Sequence, residues 1–436
     1  MSGRRLFYLL VIFSIIGPII FQINIGFISL FPMRIFIIIL WMLLLMQVLI
    51  KNKKLNTERI KVKIYIVFFM LWFIYAVISL LWSASLEDGI KDILYLFTAI
   101  SLILFSIRFL SHREILNHVS KVLLLILFIM IVIGLWENVT GNHLPGDREL
   151  NLTNYYRPRA VFTDENVFST FLSCFMFFIV SFVKTTNKNV YRIFGGVLLL
   201  LSIYLMIVTF SRANYFALVL GFGYLFFMLA KLREKVKIIS LLLFGGALLI
   251  ISFFDTIKEL ADVYILGVTS VISSEQVNDS SVSVRLNLLK NSIYFIRESF
   301  GFGVGAGNAE YYMAKHSIYN TYGIVNVHNW WVEIAVNYGL LIFFGYLTVY
   351  LSLIFNLTKI YSKLLNKIDK RFCEGLIGGL VSFSISSISP SSLIGVAFQW
   401  LLFAFAIGFL NYLRNTINSY SITIRLENKS YKKNET

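Results

Sequence analysis

The chain has 436 residues, of which 58% are hydrophobic and only 14% are charged, and its formal net charge is +16. Soluble globular proteins carry about 25% charged residues, so this chain has too few to cover a water-facing surface and is expected to be a membrane protein. Its Lys and Arg residues concentrate in segments assigned to the cytoplasmic side, as the positive-inside rule requires. The positive charge therefore indicates orientation and contact with membrane lipids, and it does not indicate nucleic-acid binding.

Apolar runs long enough to cross a bilayer recur along the chain. They predict about twelve transmembrane helices, near residues 6–23, 33–50, 64–82, 93–109, 122–139, 165–183, 193–210, 213–230, 238–254, 329–356, 373–389 and 391–412. Most connections are short, so residues 1–412 are expected to form one all-α membrane domain, followed by a polar tail at 413–436. The charge distribution places both termini in the cytoplasm of a multi-pass inner-membrane protein.

One external loop, residues 255–328, is much longer than the other connections, and loops of this length are usually functional. Within it, residues 284–299 have Leu286, Leu289, Ile293 and Ile296 at helical spacing. The pattern predicts an amphipathic helix whose apolar face lies on the outer leaflet.

Four polar clusters fall at predicted helix ends on the outer face. In chain order they are Arg159 with Asn166, Ser211 with Arg212, Arg285 with the glycines of residues 301–307, and His328 with Asn329. Their common position predicts a single outer-face site.

Arg212 is the most informative of these residues, because a charge at membrane depth costs about 2.5–3.5 kcal/mol on insertion scales. It either reaches water from a turn between two helices or binds an anion through its planar guanidinium. Arg159 and Arg285 allow the same two interpretations. Three arginines on a face where acidic residues outnumber basic ones favour a shared anionic ligand.

The remaining clusters each allow a structural and a functional interpretation. Gly303 and Gly305 resemble a phosphate-binding loop but lack its lysine, and a tight turn that brings the backbone close to a ligand or a helix end is the alternative. His328 either caps a helix start or accepts a proton from a sugar hydroxyl. We find no acidic pair placed to bind a metal, so the site is predicted to be metal-independent and to need no cofactor.

The order of these clusters resembles that of the O-antigen ligase and polymerase superfamily of bacterial surface polysaccharide synthesis. The matching elements are an arginine before an asparagine at a helix mouth, a Ser-Arg hairpin, a second arginine on an external helix, a Gly-Val-Gly turn and a His-Asn pair before a glycine-containing helix. Here they are Arg159 to Asn166, Ser211-Arg212, Arg285, Gly303-Val304-Gly305, His328-Asn329 and Gly339. The likeness extends over about residues 155–350. It departs at Glu165 and Ala213, where the family has proline and commonly glycine.

The resemblance implies a metal-independent, inverting glycosyltransferase of the GT-C type, whose donor is a glycan on undecaprenyl pyrophosphate. It implies catalytic roles for Arg212, Arg285 and His328, and substrate binding by Arg159, Asn166, Ser211, Gly303, Gly305 and Asn329. The lipid-linked oligosaccharide, membrane lipids, a chain-length regulator and a flippase are the partners that it suggests.

A polymerase, which transfers the glycan to another lipid-linked repeat unit in the bacterial cytoplasmic membrane, is the expected function. A ligase that transfers it to lipid A core, or to a protein, is the alternative within the class. A flippase for lipid-linked oligosaccharides also has about a dozen helices, but it should carry charges along a lumen at mid-membrane, whereas here nearly all charges lie at helix ends.

Overall fold

The computed structural model of the protein describes residues 3–20, 23–26, 28–50, 57–144, 157–233, 235–236 and 281–433. Apart from one hairpin of β1 (Ile23–Ile25) and β2 (Ile28–Leu30), these residues fold into helices joined by turns. The α-helices are α1 Gly3–Ile20, α2 Pro32–Leu49, α3 Lys63–Ser79, α4 Leu86–Phe109, α5 Arg113–Thr140, α6 Glu165–Thr185, α7 Asn189–Val208, α8 Arg212–Tyr224, α9 Ser281–Glu298, α10 Ala309–His316, α11 Trp330–Tyr361, α12 Lys367–Ser386 and α13 Ala397–Lys433. A π-helical turn, Leu225–Leu229, continues α8.

Eight of the described helices are long and apolar enough to cross a membrane, which confirms a polytopic membrane protein. They are α2, α4, α5, α6, α7, α8 with its π-helical turn, α11 and the first part of α13. Helices occupy eleven of the twelve predicted positions. The predicted helix 238–254 and residues 255–280 of the external loop lie outside the described residues, so the count of twelve, the full loop and the GT-C likeness stay predictions.

Helix α12 lies at the centre of the bundle and packs most extensively against α6 and α8. Glycines permit this close approach: a Cβ atom on Gly379 would lie 2.5 Å from the carbonyl oxygen of Cys174, and one on Gly378 would lie 2.5 Å from the Phe177 ring. Small residues at such contacts are how helices pack where lipid supplies no hydrophobic driving force. The packing brings the first residues of α6 and α8 to the same end of the bundle as the last residues of α12.

Helix α11 is interrupted near that end. Gly339 has φ 79° and ψ 176°, a conformation outside the helical region. The glycine-rich turn between α9 and α10 lies against the break: Val304 N donates to Val336 O (2.8 Å), Gly305 N to Asn337 O (3.1 Å) and Leu340 N to Gly301 O (2.8 Å). The turn thus satisfies the backbone groups that the break leaves without helical partners.

Two helix boundaries differ from the prediction. Residues 387–396 are not helical, although the sequence predicted helices up to 389 and from 391. Pro390 explains the difference, because proline lacks the amide donor and disfavours a helical conformation in the residue before it. Helix α13 also continues through most of the polar tail to Lys433, in a segment without glycine or proline to stop it.

The predicted amphipathic helix is present as α9, but its buried residues lie on another face, and of the predicted stripe Ile296 packs against them. Val284, Leu288 and Phe295 are buried in a small apolar cluster with residues of α10 and α11. Leu286 and Ile293, from the predicted membrane-facing stripe, are 50% and 58% exposed. The helix therefore has two apolar faces, and contact of the outer one with lipid stays a prediction.

Candidate active site

A hydrogen-bonded network of polar side chains joins the starts of α6 and α8 to the loop after α12. The Ser389 hydroxyl donates to Asn166 Oδ1 (2.9 Å) and lies 2.7 Å from the Ser211 hydroxyl, which also accepts from Asn214 Nδ2 (2.8 Å). Because Ser389 has one proton and gives it to Asn166, Ser211 donates to Ser389. Asn166 and Ser211, the two residues predicted from sequence, are thus held at fixed positions through Ser389.

Two cationic side chains, Arg212 and Arg285, lie beside this network and repel each other. Arg285 is exposed overall, but partial burial of its guanidinium lowers its pKa, repulsion from Arg212 and Arg157 lowers it further, and Asp164 opposes both effects. Neither Arg212 nor Arg285 donates a hydrogen bond to any residue that the structure describes. Their positive charges are therefore available to an anion at this end of the bundle.

Arg157, which the sequence analysis did not assign to the site, is a third cation here but is already paired. Its guanidinium forms an ion pair with Glu165 (2.5 Å) and donates through Nε to Thr209 O (2.8 Å). Arg157 is also one of the charged neighbours of Arg285, since its charge lowers the pKa of that arginine.

Arg159 is held through its backbone by a buried carboxylate of α5. Glu137 Oε2 accepts from Arg159 N (2.8 Å) and Ala160 N (2.6 Å), and Oε1 lies 3.1 Å from His143 Nδ1. These bonds stabilise Ala160 in a left-handed conformation (φ 51°). The Arg159 guanidinium lies 3.4 Å from Thr163 O, and contact of Arg159 with substrate stays a prediction.

His328 occupies the mouth of α11 and is tied to the same loop as Ser389. Its amide donates to Ser391 O (3.3 Å), its ring bonds to the carbonyl of Ser389, and its Nδ1 is buried without a hydrogen-bond partner among the described residues. Burial and then the Arg285 charge lower the pKa of His328, while the Ser389 bond and Asp164 raise it. The imidazole is therefore neutral near pH 7, and its buried Nδ1 is the nitrogen that carries the lone pair able to accept a proton.

Asp164 and Asn329 have capping roles that explain their positions at helix starts. The Asp164 carboxylate accepts from Asn166 N (2.6 Å), and burial raises its pKa. Asn329 Oδ1 accepts from Trp331 N (3.1 Å) and Val332 N (3.4 Å). Both are N-caps, which satisfy amides that a helix start leaves unbonded. Only the amide nitrogen of the Asn329 side chain is left to contact a substrate.

The glycine-rich turn does not present its amides to a ligand. Gly303 N donates to the Ser299 hydroxyl (3.1 Å) and Gly305 N to Asn337 O (3.1 Å), and both glycines have positive φ angles. A phosphate-binding loop needs free backbone amides, so the suggested binding role of Gly303 and Gly305 is not supported by these contacts. The alternative from the sequence, a tight turn that approaches a helix end, agrees with the geometry.

Two of the site's residues could have been found from other sequence signals. Ser389 belongs to a serine-rich stretch around Pro390 between two apolar segments, which is an unusual composition at membrane depth. Arg157 is separated from Arg159 only by Pro158. No cluster of three or more His, Cys, Asp or Glu side chains able to bind a metal occurs in the described part of the chain.

Comparison with known proteins adds independent information about the chain. A sequence profile described as O-antigen ligase matches residues 197–347. Over 425 residues the chain is 35% identical to the teichuronic acid biosynthesis protein TuaE of Bacillus subtilis (strain 168), and the alignment covers 95% of this chain and 86% of that protein. The profile match includes the positions of Ser211, Arg212, Arg285 and His328, whereas Ser389 lies beyond it.

Proposed function

This chain belongs to the O-antigen ligase and polymerase superfamily of cell-surface polysaccharide biosynthesis, and from that premise we propose that it is a polysaccharide polymerase. It transfers a glycan from undecaprenyl pyrophosphate to a lipid-linked repeat unit at the outer face of the cytoplasmic membrane. The observation that carries the proposal is the pair of mutually repelling cations, Arg212 and Arg285, next to the neutral imidazole of His328.

In this reaction the acceptor hydroxyl oxygen attacks the anomeric carbon of the donor glycan from the face opposite the pyrophosphate, so the configuration inverts. The anomeric C–O bond breaks, its electron pair leaves with undecaprenyl pyrophosphate, and the acceptor proton passes to His328. A neutral imidazole supports this proton transfer, which typically contributes about 10²–10⁴-fold in rate. The proton is then released from His328 to water.

Arg212 and Arg285 stabilise the charge that develops on the leaving pyrophosphate. Guanidinium groups bind two phosphate oxygens at once, and an anion between the two arginines removes their repulsion. Asn166 and Ser211, held by Ser389, position the glycan beside them. In this proposal the arginines take the place of a divalent cation, so the reaction needs no metal and no other cofactor.

The name of the TuaE relative refers to teichuronic acid, a polysaccharide product, and this supports a polymerase. The description of the matched profile as O-antigen ligase favours the second candidate, transfer of the finished glycan to lipid A core. A deletion strain separates the two functions. Single lipid-linked repeat units should accumulate if the chain is a polymerase, and long lipid-linked chains if it is a ligase. Units trapped on the inner leaflet would instead indicate a flippase.

Arginine variants test the proposed chemistry. Arg212→Ala and Arg285→Ala should each lower polymer formation about 10²–10³-fold, by analogy with the loss of one charge-stabilising donor, with normal amounts of protein in the membrane. Lysine replacements should restore only part of the activity, because a point charge cannot bind two phosphate oxygens. The matched control is Arg192→Ala, which removes an exposed arginine that donates to Thr186 O at the opposite end of α7.

Two results would contradict this chemistry. Full activity of Arg212→Ala would mean that this arginine only reaches water from a turn between two helices. Loss of wild-type activity on addition of EDTA, with recovery on addition of a divalent cation, would exclude a metal-independent reaction.

A further inference from the structure

A cavity of about 680 Å³ opens at the end of α9 farthest from Arg285. Five segments line it: the second half of α3, the connection from α3 to α4, the last turns of α9, the glycine-rich turn and α10. Its wall includes the rings of Trp82, Tyr294, Phe300 and Tyr312 and the polar groups of Glu298 and His316. None of these residues takes part in the reaction proposed above.

Hydrogen bonds hold the backbone wall of this cavity in place. The Tyr75 hydroxyl donates to Phe302 O (2.5 Å), and the Trp82 indole donates to Gly303 O (3.1 Å). Gly303 is packed so closely that a Cβ atom there would lie 2.5 Å from Gly339 N. The cavity is thus part of the same rigid assembly that closes the break in α11, and a ligand would find it already formed.

Several polar groups in the cavity are unused. The hydroxyls of Tyr294 and Tyr312, the carboxylate of Glu298 and the imidazole of His316 make no hydrogen bond with any residue that the structure describes. Phe300 is 90% exposed at the edge of the cavity. Aromatic faces next to free donors and acceptors suit a sugar, whose C–H faces pack on rings while its hydroxyls form hydrogen bonds. A polyprenyl chain would instead bury these polar groups without partners, which is unfavourable.

We propose that this cavity is a second saccharide-binding site, which holds the glycan several sugars away from the bond being formed. The proposal rests on the polymerase function. The axial distance along α9 from Arg285 to Glu298 is about 20 Å at 1.5 Å per residue, so one chain of several sugars can reach both sites. The Glu298 carboxylate accepts hydrogen bonds from sugar hydroxyls and repels anions, so the preferred unit is an uncharged sugar.

Binding of oligosaccharides without lipid or pyrophosphate tests this site apart from catalysis. The probes are oligosaccharides of one and of several repeat units, released by mild acid from the strain's own lipid-linked glycans. Their affinity for the full chain in lipid nanodiscs is measured by saturation-transfer NMR and calorimetry. Phe300→Ala and Glu298→Gln should each weaken binding of the longer probe about tenfold. Phe355→Ala, which removes an exposed ring of α11 outside the cavity, should not.

Polymer length gives a second readout. Both cavity variants should make shorter polymer while the rate of forming the first bond between repeats stays near wild type, because only the growing chain reaches the cavity. Wild-type affinity and polymer length in both variants would overturn the inference. So would competition for the cavity by undecaprenyl phosphate, which would indicate a lipid site.

The two proposals fail in different ways. The cavity takes no part in the reaction at Arg212. If the oligosaccharide probes do not bind the cavity while Arg212→Ala is inactive, only the second saccharide-binding site is rejected. Normal polymer in a deletion strain rejects the polymerase function whatever the cavity binds.

Discussion

Replacing Gly339 by alanine tests whether the break in α11 is required for the site to form. The break separates the half of α11 that follows His328 from the half that continues through the membrane. A Cβ atom at Gly339 would lie 2.3 Å from the carbonyl oxygen of Gly301 and 2.5 Å from the carbonyl carbon of Phe302. Both contacts are with backbone atoms, which cannot rotate away as a side chain would.

Two costs combine in this variant. Alanine at φ 79° and ψ 176°, a backbone conformation that is almost restricted to glycine, costs about 1–3 kcal/mol, and the added volume in a packed region costs about 1–3 kcal/mol more. Their sum is about 2–6 kcal/mol, a large part of the stability of an ordinary domain. We expect the apparent melting temperature in detergent to fall by roughly 4 °C or more. Transferase activity should fall by a larger factor than stability alone would give, because the half-helix that directly follows His328 is displaced.

Alanine variants of two other glycines measure the conformational cost and the steric cost separately. Gly323 has φ 80°, but a Cβ atom added there would meet no other atom within 4 Å, so Gly323→Ala should cost only the conformational term of about 1–2 kcal/mol. Gly196 lies within α7 with open space around it and no positive φ, so Gly196→Ala should be neutral or stabilising by up to about 1 kcal/mol. The expected order of melting temperatures, from highest to lowest, is Gly196→Ala, then Gly323→Ala, then Gly339→Ala. A Gly339→Ala protein as stable and active as Gly196→Ala would refute the reasoning.

Three further predictions concern other parts of the molecule. Asp164→Asn keeps the helix cap but removes a charge that raises the pKa of His328, so the acidic limb of the pH–activity profile should move to lower pH; a move to higher pH would contradict the assignment of His328 as base. Glu137→Ala should destabilise the protein by about 1.5–3 kcal/mol, seen as a lower melting temperature, because two backbone amides lose a carboxylate acceptor. In intact cells an impermeant maleimide should modify a cysteine placed at His143 but not one placed at Lys367, and labelling at Lys367 would overturn the assigned orientation.

The helices could be predicted from sequence because bilayer thickness sets the length of an apolar run. The loop after α12 could not, because Leu393 and Ile394 are buried and continue the apolar pattern although the backbone there is not helical. A run of apolar residues indicates that a segment is buried, and a buried loop has such a run just as a buried helix does. Pro390 is the one residue here that indicates where a helix stops. The sequence prediction placed helices up to 389 and from 391, so it left a single residue for the connection between them.

The sequence predicted that the four polar clusters share one face of the membrane, but it could not show which side chains contact each other. Arg157 and Arg159 have the same side chain and lie two positions apart, and their roles differ because Glu165 pairs with one and Glu137 holds the backbone of the other. Sequence spacing does not show the hydrogen bonds that join the glycine-rich turn to the distant break at Gly339, so the sequence allowed both a ligand-binding loop and a turn against a helix end.

The dependence of the site on Ser389 has a consequence for biogenesis. Asn166, Ser211 and His328 are all synthesised and threaded into the membrane before their shared loop leaves the ribosome. A nascent chain, or a product truncated after α12, contains the proposed catalytic side chains but lacks the loop that holds them together. Under the proposed function we therefore expect activity to begin only when the last pair of helices has been inserted, so that an unfinished chain does not consume lipid-linked sugars.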